Sequence, residues 1–129
     1  MRKILSMALI VIAMFALVGC GSISKTRLTA SIVETNAAIG DVETRLELTY
    51  SNDVLSMAVE TKKFKDRQYA EEYEELLNTF WGKQEWLEIK RLSETVTTTF
   101  KGIPSSYEYA GMSRATTRAT LEADGWTIE

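Results

Sequence analysis

Residues 42–61 read VETRLELTYSNDVLSMAVET, two alternating apolar and polar runs on either side of a polar tripeptide. Alternation with a period of two is typical of a β-strand that has one buried face and one wet face. The tripeptide Ser51-Asn52-Asp53 favours a tight turn, because Asn and Asp tolerate positive φ and bond their own backbone. The stretch therefore predicts a β-hairpin. The side chains predicted to face inward are Leu46, Leu48, Tyr50, Leu55, Met57 and Val59.

Three more alternating runs flank this hairpin, over residues 27–33, 85–92 and 95–101. Each run predicts a strand. Because Ser93-Glu94 is short and polar, the last two runs are expected to form a second hairpin. The single proline, Pro104, follows among glycine and serine residues and predicts a loop. Tight turns between strands indicate that the pairing is antiparallel.

The first of two predicted helices lies between the hairpins. Asp66 is a suitable N-cap for it, and Gly82 is a suitable stop. Between these residues, apolar side chains recur at i, i+4, i+7, i+8 and i+11, which is one face of an α-helix. The predicted face consists of Tyr69, Tyr73, Leu76, Leu77 and Phe80.

The second helix is predicted to begin at Ser113, and its end carries a clearer signal than its weak apolar face. If Gly125 is the first residue past the cap, then Leu121 and Trp126 occupy the two positions that touch in a Schellman motif. We therefore expect Gly125 at positive φ, with Trp126 packed over the helix end.

The predicted element order is β-β-β-α-β-β-α, with or without a final strand over residues 127–129. We predict an α+β fold, in which one antiparallel sheet of five to six strands is covered on one face by two helices. Residues 27–129 are expected to form this single small domain. The predicted core is one cluster made of Leu46, Leu48, Leu55, Met57, Val59, Tyr73, Leu76, Leu77, Phe80, Leu87, Ile89 and Phe100.

The first twenty residues have the layout of a secretory signal peptide. Arg2 and Lys3 give a positive start, and residues 4–18 are almost wholly apolar. The apolar run is about 15 residues long, whereas a membrane-spanning helix needs roughly 20. An uncleaved membrane anchor is therefore the less favoured interpretation.

The apolar run ends in Leu17-Val18-Gly19-Cys20, which resembles the lipobox of bacterial lipoprotein precursors. In that class the bond before the cysteine is cut and the thiol carries the lipid. The resemblance implies cleavage between Gly19 and Cys20, removal of residues 1–19 as a signal peptide, and lipidation of Cys20. Residues 20–26 would then be the lipidated cysteine and a short tether. Cys20 is the only cysteine of the chain, and a thiolate is well suited to alkylation.

The charge balance limits the kinds of partner. The chain has 15 basic and 18 acidic residues and no histidine. Without Arg2 and Lys3 the balance is 13 against 18, a net charge near −5. An acidic domain argues against nucleic acid, which needs a basic face. It also argues against broad electrostatic contact with anionic lipid headgroups, so we predict contact with the membrane only through the N-terminal lipid. The lack of histidine removes the commonest metal ligand, and we predict no cofactor.

Three groups of side chains could carry chemistry, and each has a plainer structural explanation. An acidic group on the first helix could bind a metal, but a regular helix favours a solvated face. An aromatic group could line a ligand surface, but aromatic residues more often pack a core. A threonine group could offer a nucleophile, but strand propensity explains it. The groups are Glu71, Glu72, Glu74 and Glu75; Phe80, Trp81, Trp86, Tyr107 and Tyr109; and Thr95, Thr97, Thr98 and Thr99.

Over its full length the chain resembles the YehR-like small bacterial lipoproteins. The resemblance rests on the lipobox, on residues 46–50 leading into a hairpin, on Glu60-Thr61-Lys62, and on the segment from Gly111 to Gly125-Trp126. It implies a lipid-tethered α+β domain of unsettled function, with no catalytic residues to carry over. This chain is short between Phe100 and Gly111, so a partner surface formed by that loop is not carried over either.

These features predict a non-enzymatic, membrane-anchored lipoprotein that binds a protein or a small ligand of unknown identity. Its expected location is the outer face of the cell membrane, or the outer membrane in a Gram-negative host. A second hypothesis is a phage- or prophage-encoded superinfection-exclusion lipoprotein that blocks a receptor or a channel. Small size and a short tether suit both hypotheses, and flanking phage genes would favour the second.

Overall fold

The computed structural model describes residues 24–129, and within this range six strands form one sheet against which two helices pack. The elements are β1 (Lys25–Asn36), β2 (Gly40–Ser51), β3 (Val54–Lys63), α1 (Arg67–Trp81), β4 (Leu87–Leu92), β5 (Thr95–Phe100), α2 (Arg114–Ala123) and β6 (Thr127–Ile128). The predicted α+β class and element order are confirmed, and the final strand is present.

The sheet order is β4-β5-β3-β2-β1-β6, and every neighbouring pair is antiparallel. The predicted hairpin forms the two central strands. Asn52 and Asp53 have φ values of 52° and 65°, which confirms the left-handed turn between them. The Asn52 N–H donates to the carbonyl of Ser24, and the Asn52 side chain accepts from the N–H of Ser24. The described chain therefore enters the sheet beside the β2–β3 turn.

The third strand contains one residue more than its pairing with β2 requires. The register shifts between Thr49 and Tyr50, which lie opposite Met57 and Leu55. Ser56 is the extra residue, and its hydroxyl donates to the backbone carbonyl of Thr49 at 3.1 Å. Because side chains alternate along a strand, such a bulge sends every later residue of β3 to the opposite face.

The bulge makes part of the core prediction wrong. Leu55 is buried as predicted, but Met57 is 37 % exposed, and Ala58 is completely buried instead. Val59 is only half-buried, on the face that carries no helix. From Ala58 onward, the even-numbered residues of β3 face the helices.

Helix α1 begins after Asp66 and ends before Gly82, as predicted. Its buried face is rotated from the predicted one, because Leu76 is 62 % exposed and Phe80 is 73 % exposed. The prediction that these two side chains lie in the core is wrong. The apolar spacing alone did not determine which side of the helix meets the sheet.

Two side-chain contacts fix the position of α1. The Tyr73 hydroxyl donates to Glu60 of β3 at 3.1 Å, and Arg91 of β4 donates to Glu74 at 3.0 Å. The helix therefore lies above β5, the strand between β3 and β4. Leu76 and Phe80 lie outside the contact of the helix with the sheet, since both are mostly exposed. The side chains of α1 that pack against the sheet are Tyr69, Ala70, Tyr73, Leu77 and Trp81.

The buried apolar residues form two clusters instead of the single predicted one. The larger cluster contains Leu28, Ala30, Leu46, Leu48, Tyr50, Leu55, Ala58, Phe100, Tyr109 and Leu121. The smaller cluster contains Val42, Phe64, Ala70 and Val96. Four predicted core residues are half-buried at the margins of these clusters. Leu87 lies against the larger cluster, and Tyr73, Leu77 and Ile89 lie against the smaller.

Helix α2 is held at both ends by its caps. The Ser113 side chain accepts from the N–H of Thr116 at 3.2 Å. At the other end, Gly125 has a φ of 93°, and the N–H of Trp126 donates to the carbonyl of Leu121 at 3.0 Å. This is the predicted Schellman motif, and it turns Trp126 back onto the larger cluster.

Candidate functional site

The predicted cleavage and lipidation residues, Gly19 and Cys20, lie outside the described residues. The first described residue is Ser24, which is bonded to the β2–β3 turn. At about 3.3–3.6 Å per residue, the four residues from Cys20 to Ser24 reach at most about 14 Å. Anything attached to Cys20 is therefore held near that end of the sheet.

A band of polar residues crosses the helix-facing side of the sheet between the two apolar clusters. The register places Thr44 opposite Lys62, and Glu60 opposite Thr98. Thr44 and Thr98 are 2 % and 1 % exposed, whereas Glu60 and Lys62 are half-buried. We call these four residues the polar belt. It interrupts the core because polar and charged side chains stand where apolar side chains would otherwise join the two clusters.

Lys62 is the cation of the polar belt. Its Nζ donates to Thr44 Oγ1 at 3.0 Å and lies 5.9 Å from the centroid of the Tyr73 ring, within the range of a cation–π interaction. In the described part of the chain, Lys62 forms no salt bridge with a carboxylate. A half-buried ammonium group held by neutral partners is a position where an anion would gain a counter-charge.

Glu60, the anion of the belt, is held by Tyr73. Burial and then the negative charge of Glu60 raise the pKa of the Tyr73 phenol well above its usual value of 10.0. The phenol therefore stays protonated at neutral pH and donates to Glu60 at 3.1 Å. Tyr73 thus contacts both charges of the belt, Glu60 through its hydroxyl and Lys62 through its ring.

A cleft of about 360 Å³ opens beside Lys62, between α1 and the β1–β2 turn. Its volume lies within the range of small-molecule sites. It combines an apolar wall with a polar rim, and the cleft is lined by Glu34, Thr35, Asn36, Ile39, Val42, Lys62, Phe64 and Tyr73. The lining can hold an apolar group against Phe64 and Ile39 while Lys62 meets an attached negative charge.

The acidic group of α1 is partly engaged in orienting the helix. Glu71 and Glu74 both contact Arg91, at 3.7 Å and 3.0 Å. Glu72 and Glu75 are exposed to solvent. The four carboxylates therefore do not converge on one point, as the sequence predicted for a mainly solvated helix face.

The aromatic group packs against the larger cluster, as predicted for most of its members. Trp81 lies edge-on to Trp86 and Phe100 at centroid distances of 5.6 Å and 5.7 Å, and Phe100 lies 4.8 Å from Tyr107. Burial, before any charge, raises the pKa of Tyr109 to about 12 and raises that of Tyr107 as well. These rings fill the space beneath the loop that follows β5, and both phenols stay neutral at physiological pH.

The threonine group is divided between the two faces of the sheet. Thr98 belongs to the polar belt, and its hydroxyl is buried without a partner among the described residues. Thr95, Thr97 and Thr99 are half-buried on the face that carries no helix. Strand pairing accounts for the positions of all four.

No helix within residues 24–129 is long and apolar enough to span a membrane. Over the same residues, no group of three or more His, Cys, Asp or Glu side chains could hold a metal ion. Comparison of the chain with family models, with curated proteins and with solved structures found no match. The resemblance to YehR-like lipoproteins therefore stays a prediction drawn from sequence motifs.

Lys62 and Tyr73 are site residues that the sequence patterns do not predict. Glu60 and Lys62 lie two positions apart, so they share a strand face, and this is the signal that was available. The prediction that Leu55, Met57 and Val59 point inward places that face toward solvent. Without the bulge at Ser56, the two charges would not face the helices.

Tyr73→Phe tests the network of the belt. At pH 8 the variant should be about 1–2 kcal/mol less stable, because Glu60 loses its donor. Because the pKa of Tyr73 is higher in the folded state, the protonated phenol favours folding. This contribution to the free energy of unfolding is fully present below pH 10 and falls as the pH rises above 10. The difference between the wild type and Tyr73→Phe should therefore narrow between pH 10 and 12, as measured by urea denaturation.

The matched control is Tyr69→Phe, on the same helix, whose hydroxyl makes no hydrogen bond to the described residues. It should cost less than about 0.5 kcal/mol at pH 8. An equal loss in both variants, or a Tyr73→Phe difference that does not change with pH, would contradict the described role of the Tyr73 hydroxyl.

Proposed function

We propose that the protein is a non-enzymatic, lipid-anchored domain that binds a small ligand with an anionic group on an apolar body. The observation that carries the proposal is the half-buried ammonium group of Lys62, which lines an apolar cleft and has no carboxylate partner in the described chain. An anionic ligand would supply the missing counter-charge. Its apolar part would cover Ile39 and Phe64.

The chemistry of the belt supports binding over catalysis. A raised pKa keeps the Tyr73 phenol protonated, so it is neither a base nor a nucleophile at neutral pH. Glu60 already accepts from that phenol. Tyr73 in turn positions Lys62, since its ring lies 5.9 Å from the ammonium group. The arrangement is a preformed receptor for one charge.

Anchoring is supported by the lipobox, and the bonding of Ser24 to the β2–β3 turn fits a short tether from Cys20. The lipoprotein resemblance implies a diacylglyceryl group on Cys20, and two chains suffice for stable membrane attachment. The short segment before Ser24 would hold the β2–β3 turn near the headgroups. The cleft lies about 30 Å along the strands from that turn, so the lipid and the ligand do not compete for one surface.

Cys20→Ser tests the anchor. In the native host, the wild-type protein should incorporate a fatty-acid probe, and the mass of its mature N-terminus should begin at Cys20 plus lipid. The serine variant should remain unlabelled and keep residues 1–19. An unlabelled wild-type protein, or one that begins at Met1, would refute the anchor, whereas membrane fractionation alone would not decide it.

Lys62→Met tests the ligand site, with benzoate and octanoate as probes in NMR titrations. Both probes should shift the resonances of Ile39, Phe64 and Tyr73 at millimolar concentration, and the variant should lose at least about tenfold in affinity. Lys63→Met is the matched control, because Lys63 is the exposed next residue on the opposite strand face. Absence of shifts in the wild type, or equal losses in both variants, would contradict the proposed site.

A further inference from the structure

Strand β4 forms one edge of the sheet and pairs only with β5 among the described strands. The N–H of Lys101 donates to the carbonyl of Trp86 at 2.7 Å, so the backbone groups of Trp86 point toward β5. Because these groups alternate in an antiparallel pair, those of Leu87, Ile89 and Arg91 point outward, away from the sheet. The N–H of Leu87 bonds to the carbonyl of Gln84, but the other outward groups have no backbone partner in residues 24–129.

The side chains of this edge carry opposite charges on either side of one apolar residue. Glu88 and Lys90 lie on the open face, where they contact each other at 3.1 Å, and Ile89 lies between them on the helix-facing side. Lys90 is 76 % exposed at its side chain. A lysine on an edge strand often opposes pairing with other chains. Here, however, the neighbouring glutamate provides a complementary charge for it.

We propose that β4 pairs antiparallel with β4 of a second copy of this chain, around a two-fold axis at Ile89. In this register Ile89 lies opposite Ile89 of the second copy, and Leu87 lies opposite Arg91. Glu88 then faces Lys90 of the second copy, and Lys90 faces Glu88. The interface is self-complementary, as a two-fold interface must be.

Charge selects this register over its neighbours. A shift of two residues in one direction places Glu88 opposite Glu88, and a shift in the other direction places Lys90 opposite Lys90. Like charges directly opposite each other destabilise a strand pair, whereas unlike charges stabilise it. A shift of one residue would set side chains of different faces against each other, which strand geometry forbids.

The backbone geometry fits the same register. Ile89 can exchange two hydrogen bonds with Ile89 of the second copy, and the N–H of each Arg91 can donate to the carbonyl of the opposite Leu87. Glu88 and Lys90 then form the non-hydrogen-bonded pairs, in which the Cα atoms approach to about 4.5 Å and side chains are closest. The register centred on Ile89 therefore brings Glu88 and Lys90 closest together and also uses the free backbone groups of β4.

The helices leave room for this pairing. The two-fold axis is perpendicular to the sheet, so α1 of each copy lies on the same face of the joined sheet. Since α1 lies above β5, the two copies of α1 are separated by three strand spacings, or about 14 Å. At the opposite edge, β6 pairs with Ala30 and Ser31 of β1 and so interrupts the row of free backbone groups there. The row along β4 is not interrupted in this way.

The pairing also has a consequence for membrane orientation, which rests on the proposed function. Two copies anchored in one leaflet are related by an axis along the membrane normal. An axis perpendicular to the sheet then requires that the sheet lie parallel to the membrane surface. If the strands were instead perpendicular to the membrane, the two anchors would lie at opposite ends of the dimer and could not reach the same leaflet.

Sedimentation velocity of the full chain in mild detergent, from about 1 to 200 µM, tests the pairing. The wild type should form a dimer, and Glu88→Lys or Lys90→Glu alone should weaken it by about tenfold or more. A mixture of the two variants should restore association to within about threefold of the wild type, because both lysines of one variant then face both glutamates of the other. Glu122→Lys, a matched charge change on α2, should leave the dimer unchanged.

A wild type that stays monomeric, or a mixture that associates no better than either variant, would overturn the proposal. Amide hydrogen exchange gives a second measurement that needs no variant. Exchange at Ile89 and Arg91 should slow as the wild-type concentration rises, and equal exchange at all concentrations would also overturn the proposal. Neither result depends on lipidation or on ligand binding, so a failure here leaves the proposed function untouched.

Discussion

The bulge at Ser56 determines which half of β3 faces the helices. The hydroxyl of Ser56 satisfies the Thr49 carbonyl at the bulge, which lets the chain accommodate an unpaired residue in a central strand. Beyond it Ala58 is buried, and its small side chain lies between Leu48 and Phe100 in the register. A strand without the bulge would place Met57 there, and the larger cluster would have to change around it.

The same displacement turns Glu60 and Lys62 inward and so creates the polar belt. Half-buried charges usually cost stability unless they are paired and hydrogen-bonded. In this protein Tyr73 offsets part of that cost, because its hydroxyl bonds Glu60 and its ring lies against Lys62. The core is divided in two as a result. The apolar core is therefore not continuous, and the charged group of Lys62 is held in place beside the cleft.

The sequence predicts most of the fold because its signals are local. Alternation identified the strands, Asn52-Asp53 identified the central turn, and Gly125 identified the end of α2. The bulge has no comparable signal, since Leu55, Met57, Ala58 and Val59 are all apolar and allow either face to be buried. The odd-numbered face, with Leu55, Met57 and Val59, is more hydrophobic than the even-numbered face, so hydrophobicity alone predicts the wrong face to be buried.

The orientation of α1 is hidden from the sequence for a similar reason. Its apolar side chains cover a wider arc than the sheet can bury, and the choice among them depends on two contacts distant in sequence, Tyr73 with Glu60 and Glu74 with Arg91. The cleft cannot be predicted from the sequence for both reasons. It needs the β3 bulge to turn Lys62 inward, and it needs the orientation of α1 to turn Tyr73 toward Lys62. The prediction of lipidation, in contrast, rests on a contiguous motif at Cys20 and needs no knowledge of the fold.

The direction of the β3 side chains can be measured directly with nuclear Overhauser contacts from the Ala58 methyl group. With the bulge at Ser56, that methyl group should give cross-peaks to the side chains of Leu48 and Phe100, its cross-strand neighbours on the inner face. The Met57 methyl group should give none to either residue. Cross-peaks from Met57 to Leu48 and Phe100, with Ala58 exposed, would contradict the bulge, the polar belt and the inward position of Lys62 together.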